Sequence, residues 1–521
     1  MEADGAMPRA RMTRRTLLGG AVALAGAAVT LGAPWVSAAD APAARADPFT
    51  LGVASGDPTP DGVVLWTRLA PDPLAPDGRG GMGDRPVLVA WEVAEDEGFG
   101  RPVARGSVVA RPEDAHAVHI EVAGLRPRAD LFYRFRAGTA ISPVGRTRTA
   151  PAPVARVDSL AIASASCQCR QDGFYNAWAS MVRDDLDLVV WLGDYIYESA
   201  AGSALGRAHL PATEASTLAE YRVRHAQYRT DPELQAAHAA FPWAVTVDDH
   251  DVENNWAGDV SQLDGEPDGD PAVFRRRRAD AYRAFWEHLP LRRAQRPQGP
   301  GMLLHRRLAF GDLVDLHLLD TRRFRSDQDP LHPRDPARTL LGADQRAWLW
   351  DGLARPSARW TVLAQQVFFA PRDLAAGPAT ALDEDSWDDY AVERDALRDH
   401  LVAARTPNPV ILTGDVHAHH AADVLADFTD PGSRPVATEL VTSSISSGGD
   451  GSRRAPGDDA LLAENPHLRV LDRRRGYVRS TVTPREWRAD FQVVDRVSVR
   501  GSPVRTAATV VLPDGGAERT T

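Results

Sequence analysis

The sequence contains no lysine: all 60 of its basic residues are arginine. That absence removes every chemistry that needs a side-chain amine, so a P-loop lysine, a Schiff-base lysine and a pyridoxal enzyme are excluded. Cysteine is nearly as scarce, with only Cys167 and Cys169 among 521 residues, which leaves room for at most one disulfide. Excess positive charge is missing too. Against 71 acidic residues the arginines leave a formal charge of −11, without the basic footprint that nucleic-acid binding requires. Apolar runs long enough to span a membrane are absent after the first 40 residues. What the chain does hold is core material. Hydrophobic residues make up 43%, including 13 Trp, 14 Phe and 9 Tyr, enough for two or three globular units at about 150 residues each.

The N-terminus reads as a targeting segment. Thr13, Arg14, Arg15, Thr16, Leu17 and Leu18 form a twin-arginine block, an uncharged Ala/Gly-rich stretch runs from Leu17 to Ala33, and Val36-Ser37-Ala38-Ala39 supplies small residues for cleavage. The expectation is a signal peptide over residues 1–39, read by the twin-arginine export machinery, with a secreted, extracytoplasmic product that has no membrane span. The alternative is a membrane anchor, disfavoured because the stretch is short and poor in Leu and Phe. Twin-arginine signals resemble those of a route that exports folded proteins, which suits enzymes that load a metal before leaving the cytoplasm.

Outside the cytoplasm two cysteines would by default pair. In Ser166-Cys167-Gln168-Cys169 an extended backbone would put the two Cα atoms about 6.6 Å apart, near the limit of disulfide geometry, and the bond would close almost no loop. At least one thiol is therefore expected to have another task.

From residue 48 to 149 short β-rich segments alternate with turn residues, among them Val63–Trp66, Val87–Trp91, Ala117–Val122 and Leu131–Phe135. They predict an antiparallel sandwich. Leu125-Arg126-Pro127 leading into Tyr133 and Phe135 resembles the corner of a fibronectin type III domain. Residues 150–157 read as a linker. From 158 to 505 apolar strands alternate with helical patterns, which predicts an α/β unit: strands at Leu160–Ser164, Leu188–Leu192, Trp243–Val247, Leu313–Leu319, Thr361–Leu363, Val410–Leu412 and Glu439–Ser443, and helices at Phe174–Arg183, Leu218–Ala240, Phe274–His288, Asp344–Leu353 and Glu393–Ala404. The tail after Arg505 carries few structural signals.

In α/β sheets function gathers where strands end. Here four strand ends deliver reactive groups: Cys167 after the first; Gly193-Asp194-Tyr195-Ile196-Tyr197-Glu198 after the second; Asp248-Asp249-His250-Asp251-Val252-Glu253-Asn254-Asn255 after the third; and Gly414-Asp415-Val416-His417-Ala418-His419-His420 after the sixth. Thiolate and imidazole favour transition metals, carboxylate and amide oxygens favour harder ions, so a mixed pair of metals is expected. A carboxylate can bridge two ions about 3.5–4 Å apart, and Asp194 is the candidate bridge. Taken singly, each piece has a plainer reading. Gly-Asp after a strand is commonly a turn or helix cap, His305, His317 and His332 read as ordinary surface or core groups, Arg275–Arg278 and Arg473–Arg475 as solvated faces, and Asp264, Asp268 and Asp270 as a surface turn.

The ordered set of these motifs, with Asp320-Thr321-Arg322 and Trp387-Asp388-Asp389-Tyr390, resembles the PhoD-type alkaline phosphatases across nearly the whole chain. The resemblance implies an α/β (α+β) metallophosphoesterase sandwich preceded by an all-β fibronectin III-like sandwich, and a centre of ferric iron (Fe3+) and calcium (Ca2+). It implies that Cys167 and Tyr197 bind iron, Asp194 bridges, Asp415 and His417 contribute, and Asn255 lies near the second metal. The spacing from Asp194 to Tyr197 also resembles purple acid phosphatases, in which a tyrosinate three residues after the bridging Asp ligates iron. Two departures stand out: Asp251 occupies a position where the family usually has Glu, and Cys169 is an extra thiol that leaves open which sulfur the metal takes. Hydrolysis of a phosphate ester would give His250 the task of stabilising the phosphoryl group or protonating the leaving oxygen, with Asp249 orienting its ring. No Gly-x-Ser-x-Gly elbow is present, and Ser443–Ser447 reads as a polar loop. Two other readings stay open: a diesterase acting on teichoic acid or phospholipid, and a calcium-holding cell-surface binding protein.

Overall fold

The computed structural model describes residues 47–262, 267–430 and 432–516. The expected signal peptide and Asp264 lie outside the described residues.

The N-terminal part is built from β1 (Val53–Thr59), β2 (Gly62–Arg68), β3 (Val87–Ala94), β4 (Pro102–Ala110), β5 (Ala117–Val122), β6 (Asp130–Ala137), β7 (Ala140–Ile141) and β8 (Gly145–Arg148). Strands β1, β2 and β5 face a second sheet ordered β4-β3-β6-β7, with β8 on β6, and the layers share a core of Val53, Val63, Leu65, Val89, Trp91, Val118, Leu131 and Phe135. The first of these layers does not stop at the sandwich. Ser55 and Gly56 of β1 pair in parallel with Pro242 and Trp243, so one nine-stranded sheet runs through both parts of the chain.

The α/β part begins with β9 (Leu160–Ala165), α1 (Asn176–Met181), β10 (Leu188–Trp191), α2 (Leu218–Arg229), α3 (Pro232–Ala240), β11 (Pro242–Val245) and α4 (Pro271–His288). It continues with β12 (Arg306–Phe310), β13 (Val314–Leu318), α5 (Gly342–Leu353), β14 (Trp360–Ala364), α6 (Ala391–Ala403), β15 (Pro409–Thr413), β16 (His419–Leu425), β17 (Pro435–Val441), α7 (Asp458–Glu464), β18 (Leu468–Asp472), β19 (Gly476–Val482), β20 (Glu486–Val494) and β21 (Val504–Pro513). Strands β9, β10 and β11 run parallel in the nine-stranded sheet, and β13, β14, β15 and β17 run parallel in a seven-stranded one.

The period-2 pattern explains why the two sheets stack. Leu188 and Val190 of β10 enter the inter-sheet core with Leu316, Val362, Val410 and Leu412, whereas Val189 and Trp191 face the core shared with α1–α4. Ile411 and Leu363 point instead toward the core that holds Leu349 and Leu397. The strands are apolar on both faces because each face is covered.

Four expectations are corrected. The helix expected over Leu218–Ala240 is two helices, because Asp231 caps a new start and Pro232 occupies its first turn. The tail after Arg505 forms most of β21, antiparallel to β20, and its signal is weak because only Val510 and Leu512 of it are buried. The run Arg275–Arg278 is only half a solvated face: Arg275 and Arg276 stay at the surface, but Arg277 is buried among Glu253, Asp268 and Glu214, and Arg278 bonds Asp259 and the Pro300 carbonyl. Asp268 is likewise a buried ion-pair partner, and Asp270 caps α4.

Candidate metal centre

Strands β9, β10, β11 and β15 end at one edge of the stacked sheets, and the chain passes there through tight approaches that only glycine permits. A Cβ on Gly193 (φ 106°) would stand 2.2 Å from Asp248 Cβ, and one on Gly414 would stand 2.9 Å from Ser166 Cβ. Cys167, Asp194, Asn255, Asp415 and His417 each adopt φ between 51° and 63°, a left-handed conformation rarely taken by non-glycine residues. Such strain persists where the surroundings impose it, and it gathers at functional sites.

Much of that imposition comes from Asp251. Its carboxylate accepts from the backbone N–H groups of Asp194, Tyr195 and Asp248 at 2.9–3.0 Å and of Ile196 at 3.3 Å, tying the loop after β10 to the loop after β11. The departure from Glu noted in the sequence thus concerns a clamp on the backbone.

The loops assemble three overlapping sets whose ligand atoms lie within 4.8 Å of one another: Cys167, Asp194 and His417; Asp194, Asp249 and His250; and Asp248, Asp249 and Asp415. Asp194 belongs to a set with sulfur and to a set with carboxylate. Tyr197 joins the first, its hydroxyl 3.0 Å from His417 Nε2. Tyr195 points away and bonds His238 Nε2 at 2.9 Å inside the core. Asn255 is exposed on the same turn as Asp249, and its N–H donates to Asp249 Oδ2 at 2.8 Å. Both cysteines are free thiols. Cys169 lies off the sets, its Sγ 4.0 Å from His209 Nε2.

The ring of His250 stacks on Tyr197, with centroids 4.1 Å apart, and its Nδ1 is 2.8 Å from Glu198 Oε2. Glu198 Oε1 is itself fixed by the Asn254 N–H. The carboxylate that orients His250 is therefore Glu198 and not Asp249, as the sequence had suggested; Asp249 turns toward the carboxylate set. Glu198 was inside a recognised motif, but nothing in the spacing tells which of two nearby carboxylates meets the ring.

Two arginines complete the surroundings. Arg322, fully buried, donates from Nε to Asp248 at 2.5 Å and from Nη1 to Asp385 at 2.7 Å. Arg475, expected on a solvated face, is buried and donates to the His417 carbonyl and to Ser444 Oγ. The segment Ser443–Ser447 is structural: the Ser447 hydroxyl donates to the Cys167 carbonyl and accepts from the Cys169 N–H, and the Ser446 hydroxyl donates to the Cys169 carbonyl. Asp388 and Asp389 of the Trp387 motif pair with Arg394 and Arg338 and support the fold.

Electrostatics test whether metals fit. Burial, then Asp249, pushes the Asp194 carboxyl well above the usual range, and burial, then Asp248, does the same to Asp415. Burial pushes Asp248 up to about 7. Burial, then Asp194, raises the Cys167 thiol and the Tyr197 phenol. Asp194, Asp415, Cys167 and Tyr197 are thereby pushed toward their protonated forms, and a bound cation would take the proton's place. Asp248 Oδ2 and Asp249 Oδ1 are buried with no hydrogen-bond partner among the described residues. Sulfur, phenol and imidazole at one end and carboxylates at the other fit a transition-metal ion beside a harder one.

Residues 160–491 match the family model described as PhoD-like phosphatase, and residues 35–151 match that of the PhoD-like phosphatase N-terminal domain. The chain is 45% identical over 517 residues to alkaline phosphatase D of Bacillus subtilis (strain 168), covering 96% of this chain and 87% of that protein. A solved structure of PhoD superposes with a TM-score of 0.89 at 44% identity, over 92% of this chain and 94% of the other. A purple acid phosphatase from yellow lupin (Lupinus luteus) seeds shares the fold, with a TM-score of 0.54 at 13% identity over 89% of this chain and 73% of that one.

Proposed function

The chain belongs to the PhoD-like phosphatase family of hydrolases, and we propose that it is an exported phosphoesterase that uses ferric iron and calcium to release inorganic phosphate from phosphate esters. The observation that carries this reading is the double membership of Asp194, which belongs to the sulfur-containing set with Cys167 and His417 and to the set with Asp249 and His250, whose Asp249 belongs in turn to the carboxylate set. Cys167, Tyr197 and His417 would hold iron, Asp194 would bridge, and Asp249, Asp415 and Asn255 would hold calcium. Bound there, the two ions would supply Lewis acidity that activates water and neutralises charge on the phosphoryl oxygens.

The protein's own part is positioning and proton handling. The ring of His250 belongs to one ligand set with the shared carboxylate Asp194, and its Nδ1 is held by Glu198. Burial disfavours the imidazolium, but the Glu198 carboxylate, and after it Asp249, outweighs burial and raises the His250 pKa well above the ordinary value. A ring kept protonated can hydrogen-bond a phosphoryl oxygen and give its proton to the leaving alkoxide. Glu198 holds the ring by its Nδ1–H, which leaves the Nε2–H as the proton to give up.

The test is one metal-loaded sample assayed in parallel against a phosphate monoester and a phosphodiester. Phosphate release from the monoester is expected. Hydrolysis of neither substrate would overturn the reading, and cleavage of the diester alone would replace the substrate class.

Export rests on the twin-arginine block, and among the described residues no helix is long and apolar enough to cross a membrane. Changing Arg14 and Arg15 together to Lys should trap the precursor in the cytoplasm as an active, folded enzyme, checked by fractionation and assay. Normal export of that variant would point to another route.

A further inference from the structure

We infer that Arg322 is a built-in counter-cation of the carboxylate end of the centre, sharing its ligands with the second metal ion and keeping that ion exchangeable. The inference rests on the two-metal reading above. It starts from where the guanidinium lies. Its Nε holds Asp248 at 2.5 Å and its Nη1 holds Asp385 at 2.7 Å, while Nη2 stands 3.6 Å from Asp249 Oδ1 and 3.7 Å from Asp415 Oδ1. Three of these four carboxylates are the members of the third ligand set. Nη2 has no hydrogen-bond partner among the described residues, and the side chain is wholly buried. A donor so placed is too deep to touch a substrate and too close to the carboxylates to leave their charge unshared.

The backbone holds it there. Asp320 Oδ1 accepts from the N–H groups of Arg322 and Arg323, and the Arg322 carbonyl accepts from the Gly258 N–H. Arginine also differs from lysine in a way that matters here: a lysine could shed its proton when a divalent ion arrives, whereas a guanidinium keeps its charge. Every binding event at this end therefore meets a fixed positive charge, and every departure leaves carboxylates already partly neutralised. An all-carboxylate cage would hold the ion more tightly but would collapse by repulsion once emptied.

Calorimetric titration of calcium into iron-loaded, calcium-stripped protein tests this. Arg322→Gln should bind calcium at least about tenfold more tightly than wild type, because a like charge beside the ion is removed. Arg322→Lys, whose ammonium can shed its proton as calcium arrives, should bind calcium more tightly than wild type but less tightly than Arg322→Gln. Asp385→Asn leaves the three ligand carboxylates intact but removes an anion from the guanidinium, so its calcium affinity should fall; this variant keeps the inference testable if Arg322→Gln does not fold. Unchanged or weaker calcium binding by Arg322→Gln would mean that Arg322 only scaffolds Asp248 and would overturn the inference, as would unchanged or tighter binding by Asp385→Asn. Failure of wild type to bind calcium at all would instead overturn the metal assignment on which the inference stands.

Discussion

Cys167→Ser should yield a folded protein that retains no iron and releases phosphate only at background, whereas Cys169→Ser should keep most of both. The two residues are neighbours but one in sequence, and both are buried. Only Cys167 puts its sulfur within reach of Asp194 and His417. Cys169 faces His209, a ring already fixed by the Ser199 carbonyl and the Tyr228 hydroxyl. Serine is nearly isosteric with cysteine, and the Ser447 hydroxyl grips the Cys167 carbonyl, which survives the change, so the loop should hold its course. What is lost is the ligand. A thiol gives up its proton to a metal far more readily than a hydroxyl, and the soft thiolate is what selects a transition metal over calcium. Stripping wild type with a chelator should reproduce the loss, with calcium restoring activity only while iron remains. Metal analysis and phosphate release on the two variants check the assignment; equal losses would mean that the thiols act together or that the wrong one was chosen.

The chemistry was legible in the sequence because it sits where local pattern is strongest. Val189-Val190-Trp191-Leu192 reads as a strand buried on both faces, and the Gly193-Asp194 step marks where it must stop. The same hand-over from apolar run to polar loop occurs at Cys167, Asp248 and Asp415, so the convergence of four strand ends could be expected from an α/β alternation alone. Which groups meet inside the cluster could not. His250 lies next to Asp249 in sequence and 52 residues from Glu198, yet Glu198 is its partner. Only the turn after β10 and the clamp by Asp251 bring the two together. Arginines misled for a related reason. A run of four on a helix reads as solvated by composition, and nothing local announces that Glu253 and Asp268 will close over Arg277. The pairing of β1 with β11 is hidden in the same way, since it joins segments nearly 190 residues apart through two backbone registers and no shared motif.

Tyr197→Phe should remove the visible colour of the iron-loaded protein, and Tyr195→Phe should leave it. A phenolate bound to ferric iron absorbs visible light by charge transfer from ligand to metal, whereas calcium, magnesium and zinc centres have no comparable band. In a regular strand two tyrosines at this spacing would share a face, and choosing between them would be arbitrary. Here the strand has already ended at the left-handed Asp194 (φ 59°), and the Asp251 carboxylate, which holds the N–H groups of Asp194, Tyr195 and Ile196, bends the chain through the pair. One hydroxyl goes to His238 and packs against Trp191, and the other goes to His417 at the metal end. The stability effects should run the opposite way from the spectra. Tyr195→Phe leaves His238 without its buried partner, at a cost of about 1–3 kcal/mol. In Tyr197→Phe the ring that stacks on His250 is retained, so the fold should be little disturbed while iron loses a ligand. A thiolate from Cys167 can add a band of its own, so the quantity to measure is the change in the absorption spectrum on each substitution, alongside iron content and melting temperature. Loss of the band in Tyr195→Phe and its survival in Tyr197→Phe would reverse the assignment, and a colourless iron-loaded wild type would remove tyrosinate from the centre altogether.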